Sequence, residues 1–491
     1  MKKPNIIYIL ADDMGYGDLS CFNEASKIQT RHLDELATGG MRFTDAHATS
    51  AVCTPSRYGI LTGRYNWRSS LKRGVSWSWS PPIIEPERMT VASYLAGHGY
   101  TTGCIGKWHL GWDWARRHPE PDGELTEEDV DLSKPIERGP TTVGFDHFFG
   151  IAASLDIPPY VYIENDRPTI PPDRRIEERK GKEFWREGPI SPDFEHADVL
   201  PRLTREALGF IDRHAAEEDP FLLYFPLPAP HTPILPTADF QGVSDTNAYG
   251  DFCLMVDDVV GQVMAKLAHH GIVEETIVVL NGDHGETLYD HECWFDHHGI
   301  YDVTLHVPLI IRYPGKVPAG KRVGGYNQHK DLVPTLLDLA DIDAGIDFDG
   351  ASLLPMARGE VASHEPEMYI TECTWMRKHG WRTPEWKLIR ALEPDFHFKP
   401  EVELYNLLTD PDENANLAEA QPDMVDLLTA RMERHIETRE SETGLKNPIH
   451  HQGDWHGHKG VGAFKTSQQA YDTMHIGDPK AAAKLQAESR D

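Results

Sequence analysis

The chain is short of cations. Its 491 residues carry 48 lysines and arginines against 78 aspartates and glutamates, a formal charge of −30. A molecule this acidic repels polyanions, which excludes a nucleic-acid partner and docking on an anionic membrane. Long apolar runs are missing as well, and nothing approaches the roughly 18 apolar residues that cross a bilayer. Cysteine is sparse: Cys21, Cys53, Cys104, Cys253, Cys293 and Cys373 form no CxxC pair and no tight framework. That excludes a zinc ribbon and a disulfide scaffold and leaves free thiols as the default. Internal repeats are absent. Lys2-Lys3 ahead of Ile6 to Leu10 has the beginnings of a signal peptide, but the apolar run is too short and ends in Asp12-Asp13. As it stands the sequence reads as cytoplasmic, and as periplasmic or secreted if a leader has been removed.

What is present is the composition of a globular protein, 40% hydrophobic and 26% charged. A single core stops growing at roughly 250 to 300 residues, so about two or more domains are expected. Asn5-Ile6-Ile7-Tyr8-Ile9-Leu10 is an unbroken β-favouring run, the pattern of a parallel strand covered on both faces. Its end delivers Asp12-Asp13. The same order recurs along the chain. A predicted strand from Tyr100 to Ile105 ends in Gly106-Lys107-Trp108-His109, and one from Phe221 to Phe225 runs into a proline-stiffened loop presenting His231. Another from Thr276 to Leu280 ends in Asn281-Gly282-Asp283-His284, and a further strand covers Val307 to Arg312. Helices are predicted over Thr30 to Thr38, Thr90 to Gly97, Val199 to His214, Asp251 to His270 and Asp331 to Leu339. Ligand sites in open α/β sheets lie outside the carboxyl ends of strands, where these acids, histidines and lysine would gather. Singly, each has a plain reading: Asp12-Asp13 a solvated turn, Lys107 and His109 surface groups, His231 a loop histidine, Asp283 a helix cap.

Two stretches, from about Trp112 to Pro140 and from about Glu164 to Pro192, are rich in charge and proline and read as long surface excursions used in substrate selection. Beyond roughly Ala357 the texture changes to short strands (Met368 to Glu372, Trp386 to Arg390, Glu403 to Leu407) and an amphipathic helix from Met424 to Ile436. That is an α+β layout. The domain reading is a catalytic domain over 1–360, a smaller C-terminal α+β subdomain over 361–445, and a polar, histidine-containing tail over 446–491 that either is partly ordered or adds to a pocket rim.

In Ser50 to Arg64, Cys53 is followed by Pro55, which favours a first helical turn, and by Arg57. Cys53 would then sit at a helix N-terminus, where an anion is favoured, with Arg57 one turn on to grip two of its oxygens. Alone, a cysteine is more often a small buried hydrophobe. The string Cys-x-Pro-x-Arg followed by Leu-Thr-Gly-Arg, however, resembles the signature of the type I, formylglycine-dependent sulfatases, bacterial carbohydrate sulfatases and arylsulfatases above all. The strand ends at Asp12-Asp13, Lys107-His109, His231 and Asp283-His284 follow in similar order and spacing. The resemblance extends over residues 5 to about 418, including Glu403 to Leu407 and the Asp410-Pro411-Asp412-Glu413-Asn414 run.

The resemblance implies an α/β fold of alkaline-phosphatase type, a large mixed, mostly parallel sheet sandwiched by helices. It also implies that Cys53 is oxidised to formylglycine (3-oxoalanine) by a formylglycine-generating enzyme. The hydrated aldehyde attacks sulfur and later expels sulfate. Ca²⁺, with Mg²⁺ or Mn²⁺ as alternatives, would be bound by Asp12, Asp13, Asp283, His284 and residue 53. Arg57 and Lys107 would clamp the charge developing at sulfur. His109 would act as base, and His231 as the acid on the leaving oxygen, a task suited to a pKa near ~6.5.

Two departures from the family pattern stand out. His284 replaces the usual Asn. No lysine occurs between Asp283 and Arg312, where the family usually has one, and His297, with its neighbour His298, takes that place. A histidine there predicts activity that falls more steeply at high pH. The substrate class implied is a small-molecule or oligosaccharide sulfate ester, with 6-O-sulfated galactose or N-acetylgalactosamine as the family-level reading. Tyr65 to Arg68, Lys72-Arg73, Trp77 and Trp79 either flank the cleft and stack on a sugar or form an ordinary surface loop. Rival readings are a phosphonate or phosphate ester hydrolase sharing the Cys-x-Pro-x-Arg site, a zinc alkaline phosphatase, and a catalytically silent glycan-binding protein.

Overall fold

The computed structural model describes residues 3–72, 74–118, 124–288, 295–297, 299–372, 377–392 and 399–451. Its main sheet has, in chain order, β1 (Asn5–Asp12), β2 (Met41–Phe43), β3 (Thr101–Lys107), β4 (His147–Ile151), β5 (Ile163–Glu164), β6 (Arg167–Pro168), β7 (Phe221–Pro230), β8 (Thr276–Gly282), β9 (Leu309–Arg312) and β10 (Lys321–Val323). They lie in the order β10-β2-β9-β8-β1-β7-β3-β4-β5-β6. The five from β8 to β4 are parallel, and antiparallel pairs appear only toward the two edges. Every residue of β1 is buried, as expected of a strand with helices on both faces.

Alternation along β1 divides the core in two. Ile6, Tyr8 and Leu10 face a cluster that includes Tyr58, Ile60 and Leu61 of helix α2 (Cys53–Thr62). Ile7, Ile9 and Ala11 face Leu33 and Leu36 of α1 (Arg31–Gly39), and residues of α4 (Val199–His214) and α5 (Ala248–His269). On the first face, α3 (Val91–Ala96) and α6 (Leu332–Leu339) complete the layer. Each fully buried aliphatic side chain of this kind stabilises the fold by about 1.5–3 kcal/mol relative to exposure.

A second, four-stranded antiparallel sheet joins β11 (Met368–Glu372), β12 (Lys378–Arg382), β13 (Trp386–Ala391) and β14 (Val402–Asn406) in sequential order. One face packs under Leu428 and Met432 of α7 (Pro422–Thr443). Met368, Ile370 and Ile389 on the other face pack against Ala48, Tyr301 and Tyr326. Ion pairs tie the sheet down as well: Arg382 to Asp45 (2.9 Å) and Lys387 to both Asp302 (2.7 Å) and Glu413 (2.8 Å). Among the described residues no helix is long and apolar enough to cross a membrane.

Three expectations change. The stretch after Trp112 is no mere surface excursion, because Trp112, Trp114, Val130 and Ile136 are buried in the first core face. Their indole N–H groups are satisfied at backbone carbonyls, Trp112 at Ala152 (3.0 Å) and Trp114 at Ser78 (3.0 Å). Phe184, Trp185 and Ile190 likewise turn inward from the second excursion. Strand β7 runs on through its prolines to Pro230 instead of giving way to a loop. The tail beyond residue 451 lies outside the described residues.

Candidate active site

Strands β1 and β8 are in parallel register with Ala11 opposite Gly282, so the chain leaves both at one place. The Asp283 amide donates to the Ala11 carbonyl (3.0 Å), and the Asp13 amide to Asp283 Oδ1 (3.2 Å). Asp13 has φ of 64°, a left-handed conformation that Asp tolerates better than most residues. Tyr249 on α5 holds it there, its one hydroxyl proton lying between the Asp13 carbonyl (2.8 Å) and Asp18 Oδ2 (2.7 Å). The His284 ring meets the Gly285 carbonyl through Nδ1 (3.0 Å), which fixes Nδ1–H as donor and leaves Nε2 facing Asp13 Oδ1 at 3.3 Å.

Asp12, Asp13, Asp283 and His284 are all buried, with one ligand atom of each within 4.8 Å of the others. Asp13 Oδ1 and His284 Nε2 have no hydrogen-bond partner, although buried polar atoms are nearly always paired. Charge is also unbalanced: Arg57 and Lys107 pair with Asp12 and Asp283, and among the described residues no lysine or arginine pairs with Asp13. Burial pushes Asp13 well above the usual carboxylate range, only partly opposed by His297. Burial and the charge of Asp12 push Asp283 up to about 7. At Asp12 the effect of burial is outweighed by Lys107 and Arg57, which hold it low. Orphaned donor atoms and surplus negative charge both fit a divalent cation, and the mainly oxygen donor set suits a hard one.

Helix α2 begins at Cys53, with Pro55 in its first turn and Gly63, at φ 64°, closing it through an N–H to the Gly59 carbonyl. All ten of its residues are buried. Arg57 therefore points into the protein. Its Nε and Nη2 donate to Asp283 Oδ2 (3.1 and 2.8 Å), Nη2 also to Asp12 Oδ1 (2.8 Å), and Nη1 to the Lys107 carbonyl (3.1 Å). In the structure the guanidinium is directed at the protein's own carboxylates, Asp12 and Asp283. Lys107, the last residue of β3, donates to both oxygens of Asp12 (2.9 and 2.6 Å).

Cys53 Sγ lies 3.2 Å from His109 Nδ1. The helix N-terminus does not make a thiolate of it: burial pushes the thiol up to about 12, against the opposing charge of Lys107. Burial, then Lys107 and Arg57, hold His109 well below its ordinary value and hence neutral, and its buried Nε2 has no partner. His231 follows β7, with Nδ1 against the Thr232 carbonyl and Nε2 3.4 Å from Ser154 Oγ and 3.7 Å from Asp13 Oδ2. The value near ~6.5 expected of a free imidazole is not found, because burial and then Lys107 push His231 down to about 4. His297 Nδ1 pairs with Glu286 Oε2 (3.0 Å), and its ring centroid is 4.5 Å from that of His284. His298 lies outside the described residues.

Sequence reasoning passed over Ser154, Tyr249 and Glu286. The first two reach the site from 77 and 236 residues away along the chain. Glu286 alone had a signal, standing three residues after Asp283. Of the aromatic stretch, Trp67 stacks on Tyr65 (4.1 Å) and Trp79 meets Trp114 edge-on (5.5 Å), both as packing. Trp77, by contrast, is 39% exposed.

Residues 4–342 match the family model described as Sulfatase, and residues 290–442 the model for the C-terminal part of N-sulphoglucosamine sulphohydrolase. An N-acetylgalactosamine-6-O-sulfatase of Bacteroides thetaiotaomicron is 30% identical across 89% of this chain and 94% of its own. The N-acetylgalactosamine-6-sulfatase of the dog, Canis lupus familiaris, is 30% identical across 79% of this chain and 74% of its own. A solved Bacteroides thetaiotaomicron sulfatase from a glycosaminoglycan-metabolism locus superposes with a TM-score of 0.75 at 28% identity, over 88% of this chain and 99% of that one. With strand ends that gather acids, histidines and a lysine around a helix-borne cysteine, and with these matches along nearly its whole described length, the chain belongs to the sulfatase family.

Proposed function

We propose that the protein hydrolyses a sulfate monoester of a carbohydrate, a 6-O-sulfated galactose or N-acetylgalactosamine being the first substrate to try, with residue 53 as nucleophile. The observation that carries this is the 3.2 Å contact between Cys53 Sγ and His109 Nδ1 beside a buried three-carboxylate cluster. An unmodified thiol held near 12 is a poor nucleophile at neutral pH. Oxidation of Cys53 to formylglycine by a maturation enzyme supplies a hydrated aldehyde, one hydroxyl of which attacks sulfur while the other later drives sulfate out. A divalent cation, Ca²⁺ or Mg²⁺, with Mn²⁺ admitted by the His284 nitrogen, supplies charge neutralisation and a lowered pKa to oxygens it binds.

The chain's own residues do the rest. Asp12, Asp13, Asp283 and His284 hold the cation, and Arg57 and Lys107 orient Asp12 and Asp283 while offsetting their charge. His109, kept neutral by burial, takes a proton at Nδ1 from the group on residue 53. His231 is neutral in the free site with its proton on Nδ1, committed to the Thr232 carbonyl. An incoming anion raises its basicity, so that Nε2 carries the proton delivered to the leaving oxygen. His297, fixed by Glu286, positions a sulfate oxygen.

Mass analysis of the Cys53 peptide after co-expression with a formylglycine-generating enzyme tests the modification. Parallel rates on sulfate and phosphate aryl esters test the reaction. A thiol at position 53 in active protein, or phosphate esters hydrolysed faster than sulfate esters, would overturn the reading.

A further inference from the structure

One wall of the site carries a second polar group with an unused valence. Asp156 stands two residues beyond Ser154, the neighbour of His231 Nε2, and its negative charge is felt at His231. It is 3% exposed. Arg186 binds its Oδ2 through Nη1, and the Arg186 amide donates to the Asp156 carbonyl (3.1 Å). Oδ1 is shielded from water and has no hydrogen-bond partner. The Arg186 guanidinium in turn lies 5.0 Å from the ring centres of both Trp77 and Phe184. Trp77 is anchored near residue 53, since Val75 clusters with Val52 and Cys53 and the Ser76 amide donates to Thr54 Oγ1 (3.2 Å). Indole, guanidinium and carboxylate thus form one chain of contacts, which ends two residues from the serine beside His231.

Leaving one oxygen of a buried carboxylate unpaired forfeits hydrogen bonds that would offset its desolvation. The Asp156 site has room in its bonding for one more donor. A sulfate oxygen cannot fill it, being an anion itself, whereas a neutral sugar hydroxyl can. We infer that Asp156, held by Arg186 against Trp77, is a specificity-determining residue: its Oδ1 accepts the O–H of a free hydroxyl on the sulfated sugar and turns away sugars bearing sulfate or carboxylate at that position. This rests on the sulfatase reading and narrows its substrate class to pyranose sulfates with an unsubstituted hydroxyl facing this wall.

The test is a cycle between Asp156→Asn and a set of singly deoxygenated 6-sulfo sugars, using full-length protein matured with the formylglycine-generating enzyme. For wild type, one deoxy sugar should lose about ten- to a hundredfold in kcat/KM against the parent, the value of a hydrogen bond to a charged acceptor. Asp156→Asn should lose a similar factor on the parent and little more on that deoxy sugar. Ratios between substrates do not depend on how much of a variant folds. Should the variant yield no folded protein, the wild-type series decides alone, and a series with no tenfold loss overturns the proposal. Losses that multiply independently overturn it too. 4-Nitrophenyl sulfate, which offers no hydroxyl, separates the two ideas. If matured wild type hydrolyses neither it nor the sugars, the sulfatase reading falls and this inference with it, whereas hydrolysis accompanied by independent losses removes this inference alone.

Discussion

Arg57 meets Asp283 with two donors, Nε at 3.1 Å and Nη2 at 2.8 Å, both on Oδ2. The guanidinium thereby leaves Asp283 Oδ1 to its two other neighbours, the amides of Asp13 and His284. A lysine at position 57 would keep the charge and lose the fork. Arg57→Lys is therefore expected to fold, to bind the divalent cation about ten- to a hundredfold more weakly, and to lose activity that excess cation partly restores. Titration of metal-free protein with Ca²⁺, followed by calorimetry, checks this. An unchanged affinity would leave Arg57 without the positioning role described above. Arg57→Ala, which strands two buried carboxylates, should cost about 3–5 kcal/mol and compromise folding.

Removing the cation should be visible without any assay of turnover. Three acids packed in one buried place repel one another, and a ligand bound only by the folded state stabilises it by RT ln(1 + [L]/Kd), about 2.7 kcal/mol at a hundredfold excess over Kd. Protein treated with chelator is expected to melt at a lower temperature and to recover on adding Ca²⁺ or Mg²⁺. Asp13→Asn with His284→Ala should melt alike with and without chelator.

Acid should unfold the protein partly through His196. This ring is buried among Trp185, Tyr160 and Phe194, with Trp185 stacked at 4.3 Å, and burial pushes it down to about 4. In the unfolded chain the same ring titrates near ~6.5. Below that pH the unfolded state takes up a proton that the folded state refuses, so stability is full above ~6.5 and is lost as pH falls toward 4. The loss is on the order of 3 kcal/mol at most. His196→Phe keeps the stacking and removes the proton site. Melting temperatures from pH 7 to 4 should fall less steeply in the variant than in wild type, and parallel curves would show that His196 contributes nothing to acid sensitivity.

Asp12, Asp13 and Asp283 were legible because an unbroken apolar run reads as an inner strand and the end of such a strand is where ligands go. The helix that carries Cys53 was legible from Pro55. The line from Lys378 to Arg382 was not read as a strand, since its charged residues break every apolar pattern. It is buried only because partners far along the chain neutralise it, Lys378 meeting Glu403 at 3.4 Å and Arg382 meeting Asp45 at 2.9 Å. Trp112 and Trp114 were read outward for a similar reason: charge and proline around them hid aromatic packing that has no period. The direction of Arg57 could not be known before the burial of α2 on every side.

Gly106, one residue before Lys107, sets how closely the strands beneath the site approach. Its φ is 142°, and a Cβ there would lie 1.9 Å from the Pro226 carbonyl oxygen on β7. A Cβ on Gly150 of β4 would meet the Gly106 carbonyl oxygen at the same 1.9 Å. Three backbones are therefore in contact where β3 hands over to Lys107 and His109. Gly106→Ala combines a strained φ with a clash against backbone that cannot move aside, and should cost more than about 2 kcal/mol. Gly271→Ala provides the comparison. Its φ is 69° with nothing within 4 Å of the added carbon, so only the conformational cost of about 1 kcal/mol applies. If strand spacing positions Lys107 and His109, Gly106→Ala should lose activity beyond its loss of folded protein, with kcat falling more than KM rises, while Gly271→Ala loses stability alone. Equal specific activity in the two variants, measured per mole of folded enzyme, would show that the close approach serves the fold and not the site.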